Sequence, residues 1–365
     1  MKNAVRVLVV DDSALMRKLI PQIIERDSSI QVVGTAMDGA FALDKIAELK
    51  PQVVTLDLDM PRMDGMEALR VITRKHRLPA IVVSAHTTEG AAATFRALAM
   101  GAFDFVAKPK NTTTDMDAIA KDLIAKIKVA ARSQPVQLPE TPDIRGPRPK
   151  AQRLNAATRV IAIGVSTGGP QALQYVLTQL PADFSGAILI VQHMPEGFTD
   201  MFARRLDELC AIEVREARSG DLLLGGRALI CPGNRHMRVK RMPLGDVVVL
   251  SDGERVNGHR PSVDVLFHSL AQELREIGIG VLMTGMGEDG ADGMRAIKLS
   301  GGLTIAQSED SCVVYGMPRM AVERGFAMRV VNLEGLVSTL QAQCNPNRVR
   351  AHADAVGEVA GGSRF

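Results

Sequence analysis

Aromatic residues are scarce in this chain of 365 residues, which holds 10 Phe, 2 Tyr and no Trp. Proteins that bind single-stranded nucleic acid usually stack the bases on aromatic side chains. Positive charge is not in large excess either, because 44 Lys and Arg residues face 41 Asp and Glu residues, for a formal net charge of +3. A duplex binder carries a strongly basic face. We therefore expect no nucleic-acid partner.

Cysteine is also rare. The chain has 4 cysteines, none of them in a CxxC pair and none with the histidine spacing of a zinc site: Cys210, Cys231, Cys312 and Cys344. A disulfide framework or a structural zinc site is therefore not expected. Four reduced thiols are typical of a cytoplasmic protein.

Long hydrophobic runs are missing as well. The first apolar stretch, Val7 to Val10, runs directly into Asp11 and Asp12. A signal peptide needs an apolar stretch of about 7–15 residues, and a membrane span needs about 20. We predict a cytoplasmic protein that does not insert into a membrane.

The overall composition is that of a globular protein, with 46% hydrophobic and 23% charged residues. The length allows two domains. One stretch, residues 132–155, has no apolar periodicity and is rich in proline: Pro135, Pro139, Pro142, Pro147 and Pro149. Such a composition predicts a semi-extended linker. The expected organisation is a first domain over 1–131, a second over 156–345, and a flexible tail over 346–365.

Both expected domains alternate short Val- and Ile-rich runs with segments of helical length. Continuously apolar runs are typical of strands buried on both faces of a parallel sheet. The first domain has five: Arg6–Val10, Gln31–Thr35, Val53–Leu58, Ala80–Ser84 and Phe103–Val106. The second resumes the alternation and adds a hairpin around Gly245-Asp246. We predict two doubly wound α/β domains, a five-stranded one and then a Rossmann-like one with a small antiparallel hairpin.

Polar side chains gather where the strands of the first domain end. Asp11 and Asp12 follow the first strand, Asp57 ends the third, Ser84 ends the fourth and Lys108 follows the fifth. Carboxyl ends of parallel strands meet at one edge of the sheet. Carboxylates suit Mg²⁺, and an aspartate can accept a phosphoryl group. The sequence therefore predicts a phosphoryl-acceptor site at this edge.

With the turn MPRMDG at Met60–Gly65 and the pair Lys108-Pro109, these residues make the first 131 positions resemble a response-regulator receiver domain. The resemblance implies that Asp57 accepts phosphate from a histidine kinase. It implies that Mg²⁺ binds Asp12, Asp57 and the backbone carbonyl of Asp59, with Asp11 as the other acidic member. Three further positions match the switch residues of receivers: Ser84, Phe105 and Lys108.

A second candidate site begins at the turn after the apolar run Val160–Val165. The string Gly164-Val165-Ser166-Thr167-Gly168 fits GxSxG, which places a serine at a sharp turn before a helix. Helix amides at such a turn favour an oxyanion. Glycine-rich turns of this kind also bind phosphates or simply allow close packing.

A serine nucleophile needs a base and an acid that orients it. His193 directly follows the strand Ala187–Gln192 and has the best position. His236 is predicted near the hairpin, His268 within a helix, and His259 in a loop where it could touch substrate. The acid would come from the loop TGMGEDGADG, which offers three candidates: Glu288, Asp289 and Asp292. The chain order Ser, His, acid differs from that of the α/β-hydrolases.

Residues 156–345 resemble the catalytic domain of chemotaxis protein-glutamate methylesterases. The motifs are AIGVSTGGP, VQHMPEGFT, RPSVDVLFHS, TGMGEDGADGM and SCVVYGMPR. The resemblance implies that Ser166 is the nucleophile, His193 the base and Asp289 the acid. Thr167 and the backbone amide of Met286 would support the oxyanion. The reaction implied is hydrolysis of glutamyl methyl esters on chemoreceptors, with methanol released, together with deamidation of receptor glutamines.

The two resemblances together imply a phosphorylation-activated esterase that gives chemotaxis adaptation. Its partners would be chemoreceptors as substrate and a histidine kinase as phosphoryl donor, and we expect a monomer. Mg²⁺ would serve the receiver, and the esterase reaction would need no cofactor. The alternative is a response regulator whose esterase-like domain acts only as a binding or scaffold module.

Overall fold

The structure is a computed structural model that describes residues 4–85, 87–108, 114–133 and 155–345. The described residues fall into two compact units, one ending at residue 133 and one beginning at residue 155. Each unit has its own parallel sheet and its own hydrophobic core. None of the described helices is long and apolar enough to span a bilayer.

The first unit alternates strands and helices throughout. Its strands are β1 (Val5–Val10), β2 (Ile30–Ala36), β3 (Val53–Leu56), β4 (Ala80–Ser84) and β5 (Asp104–Ala107). Its helices are α1 (Ala14–Ile24), α2 (Gly39–Leu49), α3 (Gly65–Arg74), α4 (Thr88–Ala99) and α5 (Thr114–Ala130). The strands form a parallel sheet in the order β2-β1-β3-β4-β5.

Side-chain caps begin several of these helices close to the carboxyl edge of the sheet. Ser13, Asp38 and Asp64 each accept a hydrogen bond from an amide in the first turn of α1, α2 and α3. Such caps satisfy amides that have no partner within the helix. Helix α1 contains Pro21, where the sequence predicts a kink or a delayed start, and the helix continues through that residue.

The second unit has nine strands in two sheets. Its strands are β6 (Val160–Val165), β7 (Ala187–Gln192), β8 (Glu213–Glu216), β9 (Arg227–Ile230), β10 (His236–Lys240), β11 (Val247–Ser251), β12 (Gly278–Leu282), β13 (Leu303–Gln307) and β14 (Arg329–Val331). Its helices are α6 (Gly169–Thr178), α7 (Phe198–Leu209), α8 (Val263–Leu274), α9 (Ala291–Leu299), α10 (Met317–Glu323) and α11 (Leu333–Cys344).

Seven of these strands form a parallel sheet in the order β14-β13-β12-β6-β7-β9-β8, and β10 and β11 form a separate antiparallel pair. Chain order runs in opposite directions on the two sides of β6, so the sheet has a topological switch point there. Open α/β sheets bind ligands at such a point, outside the carboxyl ends of the strands. Helix α8 packs against both the hairpin strand β10 and the central strand β6.

The predicted fold class is confirmed, including the hairpin around Gly245-Asp246. Two short edge strands, β8 and β14, were not predicted from the sequence. In β8, polar residues flank a single buried valine, and in β14 none of the three residues is buried. Short edge strands therefore lack the continuous apolar run that identified the central ones. Most of the predicted linker, Pro109 and the predicted tail lie outside the described residues.

Gly164 lies where β6 meets the start of α8. A Cβ atom built on Gly164 would lie 2.2 Å from Cγ1 and 2.8 Å from Cγ2 of Val263. The change Gly164→Ala should therefore lower the free energy of unfolding of the second unit by about 1–3 kcal/mol, as overpacked cores do. Urea denaturation monitored by circular dichroism measures this difference.

The matched control is Leu299→Ala, at a side chain that is 76% exposed at the end of α9. A surface change of this kind should stay within roughly 0.5 kcal/mol of the parent. Equal stability of Gly164→Ala and the parent would show that α8 does not approach β6 as closely as described.

Candidate active site and phosphoryl-acceptor site

Three adjacent strands bring the predicted triad to one edge of the second sheet. Ser166 directly follows β6, His193 directly follows β7, and Asp289 lies in the loop after β12. Strand β6 pairs in parallel with both neighbours, so the three carboxyl ends lie side by side. His193 and Asp289, which are 96 positions apart in the chain, therefore form a hydrogen bond.

The serine occupies a tight turn whose backbone is tied to the neighbouring loop. Its amide donates to the carbonyl of Thr284 at 3.0 Å, and its carbonyl accepts from the amide of Gly169 at 2.8 Å. Gly168 caps α6 with φ = 77°, and a Cβ there would lie 2.5 Å from Cβ of Val313. Both constraints favour glycine. The turn thus places a partly exposed serine at the N-terminus of a helix.

The predicted base and the predicted acid form a buried pair. Nε2 of His193 lies 2.9 Å from Oδ2 of Asp289, and the two side chains are 8% and 1% exposed. The other ring nitrogen, Nδ1, is buried and has no hydrogen-bond partner among the described residues. In the well-known Ser-His-Asp triad, Nδ1 faces the acid and Nε2 faces the serine. Here the ring presents the opposite nitrogen to the acid, which leaves Nδ1 to accept a proton.

Asp289 is held at the N-terminus of α8. Its Oδ2 accepts from the amide of Val263 at 2.7 Å, and its Oδ1 accepts from Oγ of Ser262 at 2.8 Å and from Nδ2 of Asn257 at 3.0 Å. Burial raises the pKa of Asp289, but the bonds with His193, Val263 and Asn257 outweigh burial and hold that pKa well below its usual range. The acid therefore stays ionised and able to orient the imidazole.

A buried glutamine ties the nucleophile turn to the base. Nε2 of Gln192 donates to the carbonyl of Ser166 at 3.0 Å and to that of His193 at 3.1 Å. Gln192 is 2% exposed and ends strand β7. One amide thus links the backbones of two predicted triad members, which restricts their relative movement. The sequence pattern does not single out this residue, although it directly precedes His193.

The competing histidines and acids have other partners. His236 is buried, its Nδ1 accepts from the amide of Ser262, and its Nε2 lies 2.8 Å from the carbonyl of Glu254. His268 is exposed on α8. Glu288 pairs with Arg324, and Asp292 lies 3.8 Å from the same guanidinium. Of the three candidate acids, only Asp289 contacts His193 among the described contacts.

The two predicted oxyanion residues lie close to the serine turn. Thr167 is buried, and its carbonyl accepts from Oγ1 of Thr284 at 2.9 Å. Met286 follows Gly285, where an added Cβ would lie 2.8 Å from Cβ of Ser166. Their role as oxyanion donors stays a prediction.

The first unit brings together the predicted phosphoryl-acceptor residues. One carboxylate oxygen each from Asp11, Asp12 and Asp57 lies within 4.8 Å of the others. Nζ of Lys108 lies 2.7 Å from Oδ2 of Asp57 and 3.0 Å from Oδ2 of Asp11. Three carboxylate oxygens are hard ligands of the kind that Mg²⁺ prefers. Of the three residues, Asp12 is exposed. The donor set therefore suits a magnesium ion.

Asp57 is nearly fully buried, at 3% exposure. Burial raises the pKa of Asp57, and Lys108 opposes this shift. Burial lowers the pKa of Lys108, but its contacts with Asp57 and Asp11 outweigh burial and raise that pKa. Lys108 therefore stays charged beside Asp57.

The predicted switch residues are already packed inward. Ser84 is 3% exposed, and its Oγ donates to the carbonyl of Gly90 at 3.1 Å. Phe105 is 4% exposed and packs edge-on against Phe95 at 6.4 Å between ring centroids. Nζ of Lys126 lies 5.5 Å from the centroid of the Phe105 ring and donates to the Phe105 carbonyl at 2.6 Å.

The sequence matches two protein families, CheB methylesterase over residues 161–340 and Response regulator receiver domain over residues 7–120. The chain is 60% identical over 354 residues to a Koribacter versatilis protein named "Protein-glutamate methylesterase/protein-glutamine glutaminase 2", covering 94% of this chain and 98% of the relative. It belongs to the CheB methylesterase family.

A second relative and a solved structure agree with this assignment. A Symbiobacterium thermophilum protein named "Protein-glutamate methylesterase/protein-glutamine glutaminase" is 46% identical over 353 residues, or 93% of this chain and 97% of the relative. The crystal structure of the Thermotoga maritima CheB methylesterase catalytic domain is 36% identical, with a TM-score of 0.50. The match covers 50% of this chain and 97% of that domain.

Two loop residues contact the triad in ways that the sequence pattern does not predict. Asn257 bonds to Asp289, and the His259 ring stacks on the His193 ring with 3.8 Å between centroids and 3° between planes. Burial, reinforced by the nearby His193 and Arg255 and opposed by Asp289, lowers the pKa of His259 from 6.5 to about 4. The only sequence signal was the position of both residues in a polar Arg/Gly loop.

The lowered pKa of His259 predicts a loss of stability in acid. Below pH 6.5 the unfolded chain takes up a proton that the folded chain does not bind until about pH 4. The free energy of unfolding should therefore fall between pH 6.5 and pH 4, by roughly 2 kcal/mol from this residue, allowing for its partial exposure. Urea denaturation across this range measures the slope.

The variant His259→Phe removes the titrating group and keeps a flat ring, so its slope should be shallower. The control His268→Ala, at an exposed histidine, should keep the parental slope. Identical slopes for the parent and His259→Phe would contradict the assignment of a neutral, half-buried imidazole.

Proposed function

We propose that this chain is a protein-glutamate methylesterase and protein-glutamine glutaminase whose activity is controlled by phosphorylation of Asp57. The relatives' names support both activities. The observation that carries the proposal is the buried hydrogen bond of 2.9 Å between His193 and Asp289, beside the turn that holds Ser166. The substrate class is glutamyl methyl esters and certain glutamines of chemoreceptors.

In the proposed reaction Ser166 attacks the γ-carbonyl carbon of the methyl ester. Nδ1 of His193 takes the serine proton, and Asp289 stabilises the imidazolium through Nε2. The tetrahedral intermediate collapses, the imidazolium protonates the methoxide, and methanol leaves. A water molecule then attacks the acyl-enzyme with His193 again as base, which releases the glutamate and restores Ser166.

The same site accounts for deamidation. A receptor glutamine presents the same γ-carbonyl carbon with an amide nitrogen in place of the methoxy oxygen. His193 protonates that nitrogen and ammonia leaves, so both reactions share one acyl-enzyme. We assign oxyanion support to Thr167 and to the amide of Met286, which lie next to the serine turn. Donors fixed in place before the reaction stabilise such charge without reorganising.

The first unit supplies the control in this proposal. A histidine kinase donates a phosphoryl group to Asp57, and the residues that would hold Mg²⁺ are Asp11, Asp12, Asp57 and, through its carbonyl, Asp59. The ion would neutralise charge on the transferring phosphoryl group. Lys108, now paired with Asp57 and Asp11, would pair with the phosphoryl oxygens. Ser84 and Phe105 would respond to that rearrangement.

We also propose the domain boundaries expected from the sequence, with a receiver over 1–131 and a catalytic domain over 156–345. The family matches, over 7–120 and 161–340, support this division. A scaffold without catalysis is not favoured by the relatives' names, nor by the presence of Ser166, His193 and Asp289 together.

The triad assignment predicts large losses of activity without loss of fold. Ser166→Ala removes the nucleophile. In Asp289→Asn the new amide would donate to Nε2 of His193 and place the ring proton on Nδ1, where it blocks proton uptake. That change costs about 10⁴ in kcat in a well-studied triad. Methanol release from methylated receptor fragments measures both variants.

The control Ser338→Ala makes the same substitution at an exposed serine of α11 and should retain parental activity. Substantial methanol release by Ser166→Ala would exclude the acyl-serine mechanism. If His236→Ala lost as much activity as His193→Ala, the assignment of His193 as the general base would be wrong.

The phosphoryl-acceptor assignment predicts that Asp57→Asn abolishes phosphate uptake from a small acyl phosphate. Chelation of Mg²⁺ should have the same effect on the parent protein, because the carboxylates then repel the donor. The Lys108→Ala variant should still be labelled, but its phosphorylation should not raise the rate of methanol release. Radiolabel incorporation and the ester assay, run in parallel, separate these steps.

Asp44→Asn, at an exposed position on α2, is the matched control and should be labelled like the parent. Full labelling of Asp57→Asn would place the acceptor elsewhere. If phosphorylation still raised the rate of methanol release in Lys108→Ala, Lys108 would not be the residue that couples the phosphoryl group to activity.

A further inference from the structure

A short turn beside the triad contacts both the acid and the base. Val256 and His259 exchange two backbone hydrogen bonds, of 3.0 and 2.9 Å, which close the turn. Nδ2 of Asn257 within it donates to Oδ1 of Asp289 at 3.0 Å and to Oδ2 of Asp264 at 2.7 Å. The turn is therefore anchored on two carboxylates, one of which is the proposed triad acid.

This anchored turn places the ring of His259 flat against the ring of His193. The centroids are 3.8 Å apart and the planes differ by 3°. His193 itself has one side-chain hydrogen bond among the described contacts, from Nε2 to Asp289. One bond restrains the direction of Nε2 but allows the ring to turn about the line from Asp289. A rigid surface against one face blocks that rotation.

We propose that His259 is a positioning residue that fixes the plane of the His193 imidazole, so that Nδ1 can accept the proton of Ser166. This inference rests on the proposed function, since it assigns His193 the role of base. The bond to Asp289 sets where Nε2 points, and the stacked ring sets the tilt. Gln192 also holds the backbone of His193 through its carbonyl. These three contacts together leave the His193 ring a single orientation.

The chemistry of His259 suits positioning better than proton transfer. Its lowered pKa keeps it neutral at neutral pH, with His193, Asp289 and Arg255 as the charged or titratable groups that act on it. A neutral ring does not repel the imidazolium that forms on His193 during the reaction. Asp289 bonds to His193 and not to His259 among the described contacts, so the acid orients only one of the two rings.

The variants that test this idea separate a flat ring from an imidazole. His259→Phe keeps a flat face of similar size, whereas His259→Ala removes it and His259→Leu fills the volume without a flat face. Misplacement of a reacting group can cost up to about 100-fold. We expect His259→Ala and His259→Leu to lose roughly 10- to 100-fold in kcat with KM changed less than about twofold, and His259→Phe to stay within about threefold of the parent.

A second readout needs no substrate. Two-bond ¹H–¹⁵N correlation spectra of the full chain with labelled imidazoles, recorded near pH 8, report which nitrogen of each neutral histidine carries the proton. The His193 signals are assigned by their loss in His193→Gln. The parent, His259→Phe and the control His268→Ala should show His193 protonated on Nε2 alone. In His259→Ala and His259→Leu the ring can tilt about the line to Asp289, so the His193 signals should shift and broaden although Nε2 keeps its proton.

Parental kcat and a parental His193 spectrum in both His259→Ala and His259→Leu would overturn the proposal. So would equal impairment of His259→Phe, because the imidazole and not the flat ring would then matter. Failure of the parent protein to release methanol would refute the proposed function instead, and the spectra would still report whether His259 fixes His193.

Discussion

The catalytic unit depends on one buried contact, the hydrogen bond between Nε2 of His193 and Oδ2 of Asp289. A carboxylate at 1% exposure is costly unless it is fully bonded. The fold meets that requirement with the N-terminus of α8, whose first amide donates to Asp289 while Ser262 and Asn257 bind the other oxygen. Helix α8 must therefore sit close to β6, and this explains why Gly164 has no room for a side chain.

The two units use aspartates in opposite electrostatic settings. Asp289 accepts several hydrogen bonds, and these hold its pKa low despite burial. Asp57 is also buried, but fewer groups bind it and burial raises its pKa. The first setting keeps the negative charge that the proposed triad needs, and the second makes the proposed acceptor carboxylate more basic and so a better nucleophile toward a phosphoryl donor. Environment, not residue type, separates the two roles.

Much of this arrangement could be predicted from the sequence. Buried parallel strands are recognisable as apolar runs, and the functional residues of such sheets lie at the carboxyl ends of the strands. Ser166, His193 and Asp57 each adjoin such a run. The choice of Asp289 over Glu288 and Asp292 needed the family resemblance, since only the folded loop shows which carboxylate is buried against His193. Asn257 and His259 could not be assigned, because their roles arise from a turn that meets the triad across about 30 to 65 positions of chain. The orientation of the His193 ring likewise follows from packing alone.

The central claim is that Ser166, His193 and Asp289 act together as an acyl-transfer centre. The most direct measurement is covalent labelling of the full chain with a serine-reactive phosphonate, followed by mass spectrometry of the digested protein. We expect a single adduct on Ser166 in the parent and very slow labelling in both His193→Gln and Asp289→Asn. An adduct on another serine, or unchanged labelling of Ser166 when either partner is replaced, would contradict this claim.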